Sequence, residues 1–162
     1  MSNKRIFYAC QSLTMFKHDM TSPKEVHGLQ SVGITTTFNL EQVFEVGQLQ
    51  IYENVETVPD IEVTTEKVLD GYPPIFLLAT RAAAGPTLIQ RSKVKCSALL
   101  SIYKDTSEQA SGVGQHQFLL SGLFPTSISY AMPADGNATE SLSLAGYHKF
   151  WGGKAVSVAN FG

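Results

Sequence analysis

Two stretches alternate apolar and polar residues with a period of two. Ile34, Thr36, Phe38 and Leu40 fall on one face, with Thr35, Thr37, Asn39 and Glu41 on the other. Ile61, Val63 and Thr65 likewise oppose Glu62, Thr64 and Glu66. Successive side chains of a strand point to opposite sides of the sheet, so both stretches read as strands with one face buried. The first pattern runs on to Val46 and changes parity between Leu40 and Val43, which predicts a bulge. Further strands are expected over Lys4–Leu13, Gln48–Glu56, Ser92–Tyr103, Phe118–Met132 (broken at Pro125) and Asn137–Leu144, the last two joined by the turn Pro133-Ala134-Asp135-Gly136. One helix is expected, Ile75–Ala84, with Pro74 near its start and Gly85-Pro86 stopping it. About seven strands with one short α-helix and no internal repeat predict a mainly β protein, a β-sandwich or partly closed barrel.

Composition fits one domain over residues 1–162 and excludes intrinsic disorder: 43% of the chain is hydrophobic and the net charge is −2. The charged share, 16%, is low against the roughly 25% of ordinary soluble domains, and Ser and Thr supply the polar content instead. Such a surface suits strand faces and contact with other subunits. With no basic excess, there is no electrostatic footprint for tight nucleic-acid or anionic-membrane binding. Cys10 and Cys96 form no metal spacing or disulfide framework and read as buried thiols. Lys4 and Arg5 precede Ile6–Cys10, but Gln11, Ser12 and Thr14 break any signal-peptide core, and Ile75–Ala79 falls far short of the ~20 apolar residues of a membrane span. A soluble, non-exported chain without membrane insertion is expected.

Catalytic chemistry leaves no trace in the motifs. His18, His27, His116 and His148 show no metal-ligand spacing, and no nucleophile elbow, phosphate loop or dinucleotide fingerprint is present. Glu62 and Glu66 on one strand face would stand about 13 Å apart at ~3.3 Å per residue, too far for a glycosidase pair. No enzyme, metal or cofactor is expected. Charge is instead segregated along the chain. Residues 41–70 hold Glu41, Glu45, Glu53, Glu56, Asp60, Glu62, Glu66 and Asp70 against Lys67 alone, whereas residues 71–104 hold Arg81, Arg91, Lys93, Lys95 and Lys104 and no acid. Either neighbouring strands cancel within one molecule, or an acidic surface of one copy meets a basic surface of the next.

Three stretches stand out by their order and spacing: Gly28–Ile34 continuing through Phe38–Gly47; Gln50–Glu56 with Pro59 and Val63–Gly71; and Ser129–Gly136 with Thr139–Leu144 and Trp151. Together they resemble bacteriophage tail tube proteins, related to the tubes of contractile injection systems. The resemblance covers residues 28–151, leaving 1–27 as an N-terminal strand and connection and 152–162 as a tail. It implies a structural virion protein whose hexameric rings stack into the hollow tail tube that delivers DNA to the host. The partners implied are the chain itself, baseplate or tail-tip, tape-measure and tail-terminator proteins, and a sheath if the tail contracts. DNA would be passing cargo, and assembly would precede residence in the virion tail within the host cytoplasm.

A passive channel should carry few cations, because each Lys or Arg on a phosphate adds salt-dependent affinity. Thr35, Thr37, Asn39, Glu62, Thr64 and Glu66 are the expected lumen-lining residues, since they oppose apolar strand faces. Tyr52, Glu53 and Glu56 of the 48–60 hairpin, with Arg81 and Arg91 from the basic block, are the expected contacts between subunits. Ile34–Val46 as one strand would span ~43 Å at ~3.3 Å per residue, around the height of a ring layer. The alternative is a β-sandwich module that binds carbohydrate or a receptor through exposed aromatics. Tyr147 and Trp151 are expected to pack near a strand end instead.

Overall fold

A computed structural model describes residues 11–44, 46, 51–56, 58–105 and 114–152, with the side chains of 42–44 and 51–56 outside that description. In chain order the elements are β1 (Gln11–Lys17), β2 (Lys24–Glu25), β3 (Leu29–Thr37), β4 (Leu40–Phe44), β5 (Ile51–Glu56), β6 (Asp60–Val68), α1 (Ile75–Ala79), α2 (Leu88–Ser92), β7 (Cys96–Ile102), β8 (His116–Ala131), β9 (Thr139–Gly146) and β10 (His148–Gly152). Among the described residues, eight strands form one antiparallel sheet in the order β2-β1-β7-β8-β9-β6-β3, with β10 also on β8, and β4 and β5 pair only with each other. The sheet is not a closed barrel.

β8 organises this sheet. Gln117–Ser121 lie between β7 and β10, pairing with β7 runs on to Leu123, and the stretch from Phe124 pairs, among the described residues, with β9 alone. The register shifts between Pro125 and Ser127, so the proline that reads as a strand break is the bulge at which the strand changes halves. Gly122 takes φ +68° at this corner, and a Cβ on Gly146 would meet Leu123 Cδ2 at 2.8 Å and the Gly122 carbonyl at 3.3 Å, so a side chain there would have to displace that of the buried Leu123. Inward residues of both halves then pack together: Leu13, Met15, Ile61, Val63, Leu120, Leu123, Leu142 and Leu144 share one core with Ile75, Phe76 and Leu78 of α1.

Two charged residues are fully buried in this core. Lys67 on β6 and Glu140 on β9 are directly paired across the ladder, and both are 0% exposed. The Glu140 carboxylate accepts the Ile75 amide at 2.6 Å and the Phe76 amide at 3.1 Å, two donors that the first turn of α1 cannot satisfy internally. Tyr130 Oη donates to it at 3.2 Å, and burial followed by the Glu140 charge pushes the phenol above its usual range. Lys67 Nζ donates to the His27 carbonyl and, at 2.9 Å, to Asp70, holding the Asp70 carboxyl below its ordinary range. Each charge is thus satisfied by hydrogen bonds, which a buried charge requires.

Several elements differ from the sequence expectations. The expected strand over Lys4–Leu13 lies mostly outside the described residues, as does Cys10; Gln11–Lys17 forms β1. Ile34–Val46 is not one strand: β3 ends at Thr37, and β4 starts at Leu40 in a separate sheet, so the ~43 Å wall does not hold. The helix stops at Ala79 rather than Ala84, because Thr80 leaves the helical conformation and Arg81 Nε takes the Leu78 carbonyl at 3.1 Å. A second helix, α2, was not expected, and it shortens the following strand to Cys96–Ile102. Thr87 and Gln90 have the Ser/Thr-x-x-Glu/Gln spacing that marks a helix start, and their side chains meet at 2.8 Å. Cys96 is buried as expected, its thiol pushed up to about 12 by burial.

Removing the Glu140 carboxylate strands two buried amides and the Tyr130 hydroxyl. Glu140→Ala should cost about 3 kcal/mol in denaturant unfolding of the isolated chain. A midpoint unchanged from the parent would show that the α1 amides find other partners.

Candidate functional site

β3, β6, β9 and the second half of β8 present a continuous outer face. The ladder rows run Ser31–Glu66–Ser141–Ser129, Gly33–Thr64–Ser143–Ser127 and Thr35–Glu62–Ala145–Phe124. The face is polar because the inward positions of the same strands take the apolar residues: Ile34, Ile61, Val63, Leu142 and Leu144 all turn to the core. Lys67, the one cation on these four strands, also points inward. The outer face therefore carries mainly Ser, Thr and the three carboxylates Asp60, Glu62 and Glu66, and no Lys or Arg.

Five of the six expected channel-facing residues lie on this face. Thr35, Thr37, Glu62, Thr64 and Glu66 are all exposed. Asn39 is exposed too, but sits beyond the end of β3, where its Nδ2 donates to Asp60 Oδ2 at 3.2 Å. A cleft of about 410 Å³ at that end is lined by Thr35, Thr37, Asp60, Glu62, Gly146 and Tyr147 among others.

The face ends in two open edges. Among the described residues, β3 pairs only with β6, and β8 beyond Leu123 pairs only with β9. Open edges present unpaired amides and carbonyls that template further pairing. The β4–β5 hairpin is likewise unpartnered among the described elements, and a lone hairpin is marginal in water. Tyr52, Glu53 and Glu56 lie in β5, where Glu53 pairs with Val43 and Glu56 with Leu40; their side chains are outside the described residues.

Both arginines make hydrogen bonds within their own chain. Arg81 Nη2 donates to the Met15 carbonyl at 3.1 Å and to the Ser22 carbonyl at 2.5 Å, tying α1 to β1 and the following loop, and burial lowers its pKa. Arg91 Nη1 donates to Thr80 Oγ1 at 3.1 Å. Among the described residues, no ion pair joins an acid of the 41–70 block to Arg81, Arg91, Lys93 or Lys95. The expectation for Tyr147 and Trp151 is corrected: they are 55% and 70% exposed, because β10 leaves them on an open surface beside the end of β3. Among the described residues, no three His, Cys, Asp or Glu side chains gather to hold a metal ion, and no helix is long and apolar enough to cross a membrane.

No family model matches the sequence, and no curated protein matches it. Solved structures do. A chain of the anti-feeding prophage tube-terminating cap superposes with a TM-score of 0.67 at 12% identity, covering 94% of each chain. A chain from the tail of an empty gene transfer agent particle, refined with C6 symmetry, gives 0.60 at 14% identity over 93% of this chain and 100% of that one. A chain of the SPP1 tail tube gives 0.63 at 9% identity, covering 96% and 84%. The chain has the tail-tube fold. At these identities the tail-tube fold is shared through its architecture rather than its side chains. The hydroxyl-rich outer face was legible from alternation, whereas the open edges of the sheet required the pairing of β3 and β8.

Arg81 and the outer face should respond oppositely to substitution in the monomer. Arg81→Ala should lose about 2 kcal/mol of stability by leaving three carbonyls without their charged donor. The double change Glu62→Gln and Glu66→Gln should stay within about 0.5 kcal/mol. Thermal and urea unfolding of the two variants side by side would check this.

Proposed function

We propose that this protein is the structural subunit of a hollow tail or injection tube, assembling as six-membered rings that stack coaxially. The observation that carries the reading is the four-stranded half sheet with a cation-free outer face and two open edges. Joining the β3 edge of one copy to the β8 edge of the next repeats a heterologous contact, which closes when the rotation fits a ring. Six copies supply 24 strands, which at about 4.8 Å spacing give a wall ~115 Å around and ~37 Å across before tilt. Barrels of fewer strands already leave an aqueous channel. The six-fold symmetry of the gene transfer agent tail and the whole-chain match to the SPP1 tube support this arrangement.

Thr35, Thr37, Glu62, Thr64 and Glu66 then face the channel, with Asn39 at its rim. A lining of hydroxyls and carboxylates gives a polyanion nothing to hold, so DNA is the cargo proposed, moving without bound counterion exchange. The β4–β5 hairpin, bearing Tyr52, Glu53 and Glu56, reaches another copy, which supplies the packing partner that it lacks among the described elements. Baseplate, terminator, tape-measure and, in a contractile tail, sheath proteins are the proposed further partners.

Negative-stain electron microscopy over a concentration series should show rings or tubes with six-fold end views; a strict monomer at every concentration counts against the reading. Glu53→Lys with Glu56→Lys should shorten or abolish tubes. Thr64→Lys with Glu66→Lys should leave tube length unchanged but make the tubes retain DNA at low salt and release it at high salt. Tubes of that variant that hold no DNA would remove these two residues from the channel.

A further inference from the structure

Beside the open edge of β3 lies an apolar groove of about 520 Å³, lined by Phe38, Val58, Pro59, Tyr147, Phe150 and Trp151 among others. Phe38 is 61% exposed, Val58 64% and Trp151 70%, so a contiguous apolar patch faces outward. Its floor is braced: Lys149 Nζ reaches from β10 to Thr36 Oγ1 at 3.3 Å and sits 4.5 Å over the Trp151 ring, which packs edge-on to Phe118. The groove shares Ile61 and Tyr147 with the neighbouring cleft that holds Asp60 and Glu62. An apolar seat therefore adjoins an acidic rim.

The complementary surface occurs on the same chain. α2 has no buried residue, and Leu88 and Ile89 are 65% and 72% exposed. Arg91, Lys93 and Lys95 follow within six residues, with no acid between residues 71 and 104. α2 leads into β7, whose pairing with β8 starts at Cys96 opposite Leu123, so the helix stands off the end of β7 beside the open stretch of β8. Lys95 Nζ lies 5.5 Å from the centre of the Phe124 ring. Phe124 shares a ladder row with Ala145, Glu62 and Thr35. The basic, apolar α2 region on one edge of the half sheet therefore stands at the level of Thr35–Phe38, where the groove opens on the other edge.

We propose that α2 of one copy seats Leu88 and Ile89 in the Phe38–Trp151 groove of its lateral neighbour, with Arg91, Lys93 and Lys95 facing the neighbour's Asp60 and Glu62. This rests on the ring reading above, in which the β8 edge meets the β3 edge of the next copy. It gives the two charge blocks one role: they set the direction in which copies join, because groove meets groove, or α2 meets α2, with like charges opposed.

The test is disulfide trapping in assembled material, in a chain carrying Cys10→Ser and retaining the buried Cys96. Phe38→Cys together with Ile89→Cys should give a ladder of cross-linked species on mild oxidation, and either substitution alone should give monomer. Assembled tubes of the double variant that yield only monomer overturn the contact and leave the tube reading intact. A parent chain that never assembles overturns both. A cross-link from Phe38→Cys to Tyr52→Cys instead would give the groove to the β4–β5 hairpin. If the double variant fails to assemble, Leu88→Ala with Ile89→Ala decides the matter: the critical concentration should rise by about tenfold or more with the monomer's circular dichroism unchanged. An unchanged critical concentration overturns the proposal.

Discussion

Between Gly122 and Ser127, β8 leaves one half of the sheet and enters the other, and the inward side chains of both halves meet across that corner. A flat eight-stranded sheet of this pattern would expose one apolar face along its whole width. The corner lets Leu13 and Met15 of β1 share a core with Val63 of β6 and Leu144 of β9, elements far apart in strand order. β9 and β10 follow β8 around the bend with only Tyr147 between them. The corner also leaves β8 unpaired on one side among the described residues, since its pairing with β7 ends at Leu123. One geometric event thus creates both the core and an open edge.

The second consequence of the curl is an interior that needs filling at one point by a short helix. α1 has five residues, too few to be stable alone, and no capping side chain of its own at Pro74. Glu140 provides the cap from 65 residues away by accepting the Ile75 amide, and its backbone position is fixed by the β6–β9 ladder. Arg81 holds the other end through the carbonyls of Leu78 and Met15. A buried carboxylate and a half-buried guanidinium thus do for α1 what a longer helix does with its own turns. Each is effective only once the sheet has formed.

The surface follows a different rule from the core. On the outer face of β3, β6, β9 and β8, most side chains are short, hydroxyl-bearing or acidic, and among the described residues the face is bounded by unpaired strand edges. Natural sheets usually protect such edges with charge, proline or a covering element. Here the edges are flanked by an apolar groove on one side and a helix with exposed Leu88 and Ile89 on the other. That pattern is costly for a free monomer and suits a chain whose edges are covered by copies of itself.

Alternation at Ile61–Glu66 determined which side chains turn inward, because a strand has no other way to separate apolar from polar residues, and the outer Thr and Glu were readable from that alone. Low charge, the absence of catalytic spacing and the segregation of acids from bases were equally properties of the chain. What the tertiary structure decided depends on contacts distant in sequence. Lys67 and Glu140 look like ordinary surface charges until the β6–β9 register places them together in the core. Pro125 reads as a break, and only pairing with β9 makes it a bulge in a continuous strand. Arg81 and Arg91 belong to a basic block in the sequence, but carbonyl and hydroxyl acceptors in the fold engage them internally. Tyr147 and Trp151 resemble packing residues near a strand end, yet they stay largely exposed, since burial is set by what lies opposite in space and not by what lies beside in sequence.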